Sequence, residues 1–127
     1  VLTGNKLVDQ LKKLPLDKKQ GEVFRMIHIQ FQKTTLSAIG SRINGGRYNI
    51  SQQFPGQDFE ALYTSDSPIT VLQELEFLIN TPLGLIPFKR EPYLLLSLEY
   101  SLQFVLDLTD INNQNYLGTN LQELTGV

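Results

Sequence analysis

The feature that most limits how this 127-residue chain can fold is residues 33–58, a run rich in Gly, Ser, Gln and Asn. Glycine is costly inside helices and strands, while Ser and Asn hydrogen-bond nearby backbone in competing conformations. Most of this run is therefore expected to be loop, with a short helical turn around "TLSAIG". Long irregular segments in compact domains either carry function or are disordered. The remaining residues must supply the core, and a chain that is 41% hydrophobic can do so as one domain. Cysteine is absent, which excludes a disulfide framework, a thiolate zinc site and a thiol nucleophile, and makes the cytoplasm the simplest compartment. No apolar run approaches the roughly 20 residues of a membrane span, and the first residues lack a signal-peptide pattern. The expectation is a soluble protein with no membrane partner.

A net charge of -2 leaves no strongly basic face, so direct nucleic-acid binding is not expected. The distribution of charge says more than its sum. Between Val23 and Gln57 stand Arg25, Lys33, Arg42 and Arg47 without any Asp or Glu, and the acids resume at Asp58. A cationic stretch inside an acidic chain points to a small anionic ligand rather than a polyanion.

Periodicity places the elements. Residues 5–19 put Leu7, Val8, Leu11 and Leu14 on one helical face and lysines on the other, until Pro15 ends the pattern. Such a helix is either solvated on its polar side or docks a partner. "EVFRMIHIQF" alternates as a strand, with Arg25 on the more aliphatic face. "EALYTSD" reads as a short strand. "SPITVLQELEFLI" reads as a helix with Ser67 as N-cap and Pro68 at its first position. "YLLLSLEYS" and "FVLDLTD" read as two further strands, and "TNLQELTG" as a short capped helix stopped by Gly126. The irregular order of helices and strands favours α+β over a regular βαβ alternation.

The candidate chemistry starts from "GGRYN". The glycine pair gives the backbone positive φ and close approach to a ligand, but the segment matches neither phosphate-loop pattern and alone could be an ordinary turn. Arg25 and Arg47 would each offer a planar guanidinium to phosphate oxygens if the fold joined them. Glu74 and Glu76 stand two apart on the Ser67 helix, so only one can face a given cleft. The helical wheel slightly favours Glu74, whose neighbours one turn away are Val71 and Leu78. Tyr63, at the end of its strand, suits either a half-buried core position or a ligand face. His28 is the single histidine and reads as a structural residue, and Asp107 with Asp110 resembles a strand-end turn. No metal site is expected.

In order and spacing, "VFRMI", "LSAIGSRINGGRYN", "EALYTSDSPITVLQELEFL" and "FVLDLTD" resemble the RES domain, a bacterial family named for a recurring arginine, glutamate and serine. The resemblance spans residues 22–127, after an amphipathic helix and linker at 1–21. It implies a single domain with an ADP-ribosyltransferase-like mixed sheet and flanking helices. It also implies an NAD+-consuming toxin of a toxin–antitoxin system that cleaves the nicotinamide–ribose bond by hydrolysis or phosphorolysis. NAD+ would be the substrate, and no cofactor is called for. Arg25 and Glu74 would be the name-giving catalytic pair. Arg47, with Tyr48 and Asn49 beside it, would bind substrate, and Tyr63 would stack on the nicotinamide. The alternatives are a protein ADP-ribosyltransferase using the same cleft and an inactive RES-like binding module. The expected partner is a helix-turn-helix antitoxin, and homo-oligomers are compatible with the family. The family's serine would follow "DLTD", and Ser97 and Ser101 precede it, so a C-terminal segment of the domain is expected to be missing.

Overall fold

The computed structural model describes residues 2–126, and at 32% helix and 29% strand neither class dominates, which makes the chain α+β. In chain order the elements are α1 (Gly4–Lys13), β1 (Asp17–His28), a 3-10 helix (Ile29–Thr34), α2 (Ile39–Asn44), α3 (Pro68–Glu74), β2 (Leu78–Thr81), β3 (Gly84–Pro87), β4 (Tyr93–Val105), α4 (Ile111–Tyr116) and α5 (Leu121–Thr125). β1 pairs with β4, and β2 with β3, as separate two-stranded sheets. The chain divides into two compact units, Val1–Gly21 with Tyr100–Val127, and Glu22–Glu99. Among the described residues no helix is long and apolar enough to cross a membrane.

In the first unit, α1 ends before Pro15 as the sequence requires, and Leu14 at its C-cap is buried while Val8 and Leu11 stay exposed. Leu117 is the other buried apolar residue among the described residues of this unit. The rest is held by polar side chains. Asn113 and Gln114, both buried, donate through their amides to the Asp107 and Leu108 carbonyls at 2.8 Å each. Thus "DLTD" is a turn: Asp107 accepts from Thr109, which holds its carboxyl below the usual range, and Asp110 caps α4. Asn120 caps α5, and Gly126 ends it at φ 70° in the left-handed region.

Four expectations change in the second unit and along β4, the first being that the strand over "EVFRMIHIQF" stops at His28 and "IQF" opens the 3-10 helix. In place of two strands there is one, β4, which runs through "YLLLSLEYS" into Phe104 and Val105 of "FVLDLTD", because Leu102 and Gln103 between them offer no Gly, Pro, Asn or Asp to turn the chain. "EALYTSD" is extended but joins no ladder beyond one antiparallel bridge from Phe24 to Ser65. Its backbone groups go to side chains instead: the Ala61 N–H donates to Ser41 Oγ and the Tyr63 carbonyl accepts from Arg25, while the carbonyl of Phe59, just before the segment, accepts from Asn49. The Ser67 helix starts as expected, with Ser67 as N-cap and Pro68 inside the first turn, but stops at Glu74.

That early stop has a local cause. Glu76 takes φ 62°, its N–H donates to the Gln73 carbonyl, and the Phe77 N–H donates to that of Leu72. This pair of bonds is the Schellman ending, in which a left-handed residue after the helix satisfies its last carbonyls. The chain then reverses into the β2–β3 hairpin, where Leu78, Ile79, Asn80 and Thr81 face Pro87, Ile86, Leu85 and Gly84. Glu76 is therefore off the helix, and the wheel comparison between the two glutamates does not apply to it.

Candidate functional site

The site is built in the second unit around a cavity of about 1010 Å³, at the upper end of the range of roughly 300–1,000 Å³ typical of small-molecule sites. β1 brings Arg25, the segment after α2 brings Arg47 and Tyr48, the extended segment brings Tyr63 and Ser65, and α3 brings Glu74. Five of the six side chains singled out from the sequence thus line one cavity. Asn49 does not line it and is buried.

The glycine pair is explained by its own neighbours. Gly45 caps α2 at φ 73°, a left-handed value that a side chain disfavours. Gly46 is needed for space: a Cβ there would lie 2.5 Å from Tyr63 Oη and 2.6 Å from Asn49 Oδ1. The close approach expected of a ligand is thus made by Tyr63 and Asn49. Asn49 Nδ2 donates to the carbonyls of Ser41 and Phe59 at 2.8 and 3.1 Å, and its Oδ1 accepts from Tyr63 Oη at 2.6 Å. Tyr63 Oη in turn accepts from the Tyr48 N–H at 2.9 Å. Asn49 therefore clamps the loop from beneath, and the Tyr63 hydroxyl is committed to the same clamp. The rings of Tyr63 and Tyr48 lie within 23° of parallel, with centroids 6.4 Å apart.

The three arginines of this region differ in how they are neutralised. Arg42 Nε donates to Asp58 at 2.7 Å, so the first acid beyond the acid-free stretch folds back onto it. This bond raises the Arg42 guanidinium pKa and holds the Asp58 carboxyl below its usual range. Arg25 and Arg47 have no carboxylate within salt-bridge distance among the described residues. Arg25 donates from Nη1 to the Tyr63 carbonyl at 3.2 Å and from Nη2 to that of Ser37 at 3.3 Å, while its Nε is buried without a partner. Burial lowers its pKa, with no neighbouring acid to oppose the shift. Arg47 is exposed, its guanidinium carbon 5.5 Å from the Tyr48 ring centre. A half-buried cation on the wall of a cavity, with no acid beside it among the described residues, is suited to an anionic ligand.

Glu74 occupies the last turn of α3, and its Oε2 accepts from Ser65 Oγ at 3.2 Å. Ser65 had no place in the sequence reading. Its signal was the alternation of an extended chain, which puts it on the same side as Tyr63 two residues before it. His28, read as structural, caps the 3-10 helix by accepting from the Gln30 N–H at Nδ1, and stands edge-on to Tyr93 with centroids 5.3 Å apart. It also lines the cavity, with apolar neighbours that include Phe31, Ile39 and Val71. The cavity therefore combines a carboxylate, two unneutralised guanidinium groups and aromatic faces on a partly apolar wall. Compared with protein-family models, curated proteins and solved structures, the chain returns no match.

Proposed function

We propose that this cavity binds NAD+ and cleaves its nicotinamide–ribose bond. The observation that carries the reading is the gathering of Arg25, Arg47, Tyr48, Tyr63 and Glu74 around one cavity, with neither Arg25 nor Arg47 paired to an acid among the described residues. The pyrophosphate of a dinucleotide supplies the negative charge that such a pair lacks. Bond cleavage releases neutral nicotinamide and leaves an oxocarbenium-like ribose. A carboxylate beside that carbon, here Glu74, stabilises the developing charge more in the transition state than in the ground state. Water then adds to the ribose carbon and loses a proton, giving ADP-ribose, or phosphate adds in its place. The arginines contribute by anchoring the remote half of the substrate, so that its binding energy orients the reacting bond.

The RES resemblance adds the ADP-ribosyltransferase-like architecture and a helix-turn-helix antitoxin partner to the same proposal. Calorimetric titration of the chain with NAD+ tests the binding half. Saturable binding is expected, weakened roughly tenfold by Arg47→Ala, which is the loss of one charge-assisted contact. An affinity unchanged by that substitution removes Arg47 from the site, and absence of binding by the native chain removes the reading.

A further inference from the structure

We propose that Ser65 is a positioning residue for Glu74, an inference that rests on the NAD+-cleaving reading above. Ser65 is 9% exposed, and its backbone is fixed on both sides of one bridge. The Phe24 N–H donates to its carbonyl at 2.7 Å, and its own N–H donates to the Phe24 carbonyl at 2.8 Å. Phe24 immediately precedes Arg25, so the bridge fixes the register between the arginine-bearing strand and the serine. The Tyr63 carbonyl, two residues before Ser65, accepts from Arg25 Nη1 at 3.2 Å and strengthens that tie.

From this anchored position Ser65 Oγ donates to Glu74 Oε2 at 3.2 Å. Among the described residues Glu74 has no other hydrogen-bond partner for its carboxylate, and it is an exposed side chain at the end of a seven-residue helix. Without Ser65 it would be free to rotate about each of its bonds and to leave the cavity wall. A serine hydroxyl has one hydrogen. Given to Oε2, it holds the carboxylate in place on the cavity wall. No proton moves and no bond forms at Ser65. Its contribution is to set where the negative charge stands relative to Arg25, and small misplacements of a charge-stabilising group are costly in rate. The segment Tyr63–Ser65 thereby couples the two residues proposed for chemistry, Arg25 through a carbonyl and Glu74 through a hydroxyl.

The test compares Ser65→Ala and Ser65→Thr with the native protein for nicotinamide release from NAD+, and adds a crystal structure of Ser65→Ala. Circular dichroism and melting establish that each variant is folded. Ser65→Ala is expected to lower kcat about tenfold or more with KM changed less than about twofold, and Ser65→Thr, which keeps the donor, to recover most of the loss. In the Ser65→Ala crystal the Glu74 carboxylate is expected to have turned from its native place. Unchanged kcat in Ser65→Ala, or a loss shared between kcat and KM that Ser65→Thr does not restore, overturns the positioning role. Absence of release by the native protein sinks the NAD+ reading instead. The crystal then judges Ser65 alone, and Glu74 standing unmoved without the hydroxyl refutes its hold.

Discussion

In the glycine-pair loop, Gly45 to Asn49, side chains hold the backbone, whereas in the β2–β3 hairpin the backbone holds itself and the side chains of β3 are left in solvent. The loop has a single internal bridge, from Gly46 to Asn49, and its shape rests on the Asn49 amide, the Tyr63 hydroxyl and the space at Gly46. The hairpin has a regular ladder, extended by the Phe88 and Lys89 N–H groups donating to the carbonyls of Phe77 and Glu76, yet Leu83, Leu85, Ile86 and Phe88 are exposed. A ladder needs no particular side chain, so the hairpin tolerates change. The clamp depends on each of its members, which is how a loop without regular structure can present Arg47 and Tyr48 reproducibly. The second unit buries only Ile27 and Val71 among its described apolar residues, so a buried polar group such as Asn49 takes a larger share of its order.

The contrast breaks most sharply at Gly46. Gly46→Ala forces a methyl group into Tyr63 and Asn49 and should cost about 3 kcal/mol, read as a lower urea midpoint together with lost NAD+ binding. A variant as stable as the native chain would show that the clamp yields. In the hairpin the expected sign is opposite. Glu76→Gly relieves a left-handed residue and should add about 0.5–1 kcal/mol after the entropy that glycine restores to the unfolded chain. NAD+ binding should not change, and a loss of stability would mean that the Glu76 side chain contributes more than its backbone costs.

The smallest effect concerns the edge of the loop. Because Arg42 holds the Asp58 carboxyl below its unfolded value, their bond adds stability above roughly pH 4, the ordinary carboxylate pKa, and loses it as pH falls through the lower folded value. Arg42→Ala should therefore be less stable than the native chain near neutral pH, and the gap should close in acid once Asp58 is protonated in both. A gap that persists unchanged in acid would assign the loss to packing of the arginine stem.

The same contrast explains what was legible in the sequence. Caps and stops depend on neighbours in the chain, and Ser67, Pro68, Asn120 and Gly126 act where their positions suggest. Arg25, Arg47, Tyr48, Tyr63 and Glu74 line one cavity from three kinds of place: Arg25 from within β1, Glu74 from the end of α3, and the other three from segments between elements. The hairpin was hidden because "EFLIN" suits helix and strand alike, and only the left-handed turn at Glu76 decides between them. The clamp made by Asn49 and the contact made by Ser65 are not legible for a different reason: their side-chain partners lie 8 to 14 residues away, beyond any local period. The pairing of Arg42 with Asp58 across 16 residues escaped for the same reason.

The central claim is that Glu74 supports cleavage of the nicotinamide–ribose bond, and nicotinamide release from NAD+ by the native protein and by Glu74→Gln tests it most directly. The account predicts turnover by the native protein and a loss of at least about a hundredfold in Glu74→Gln, with the fold and NAD+ binding retained. Equal release by the two proteins would contradict it.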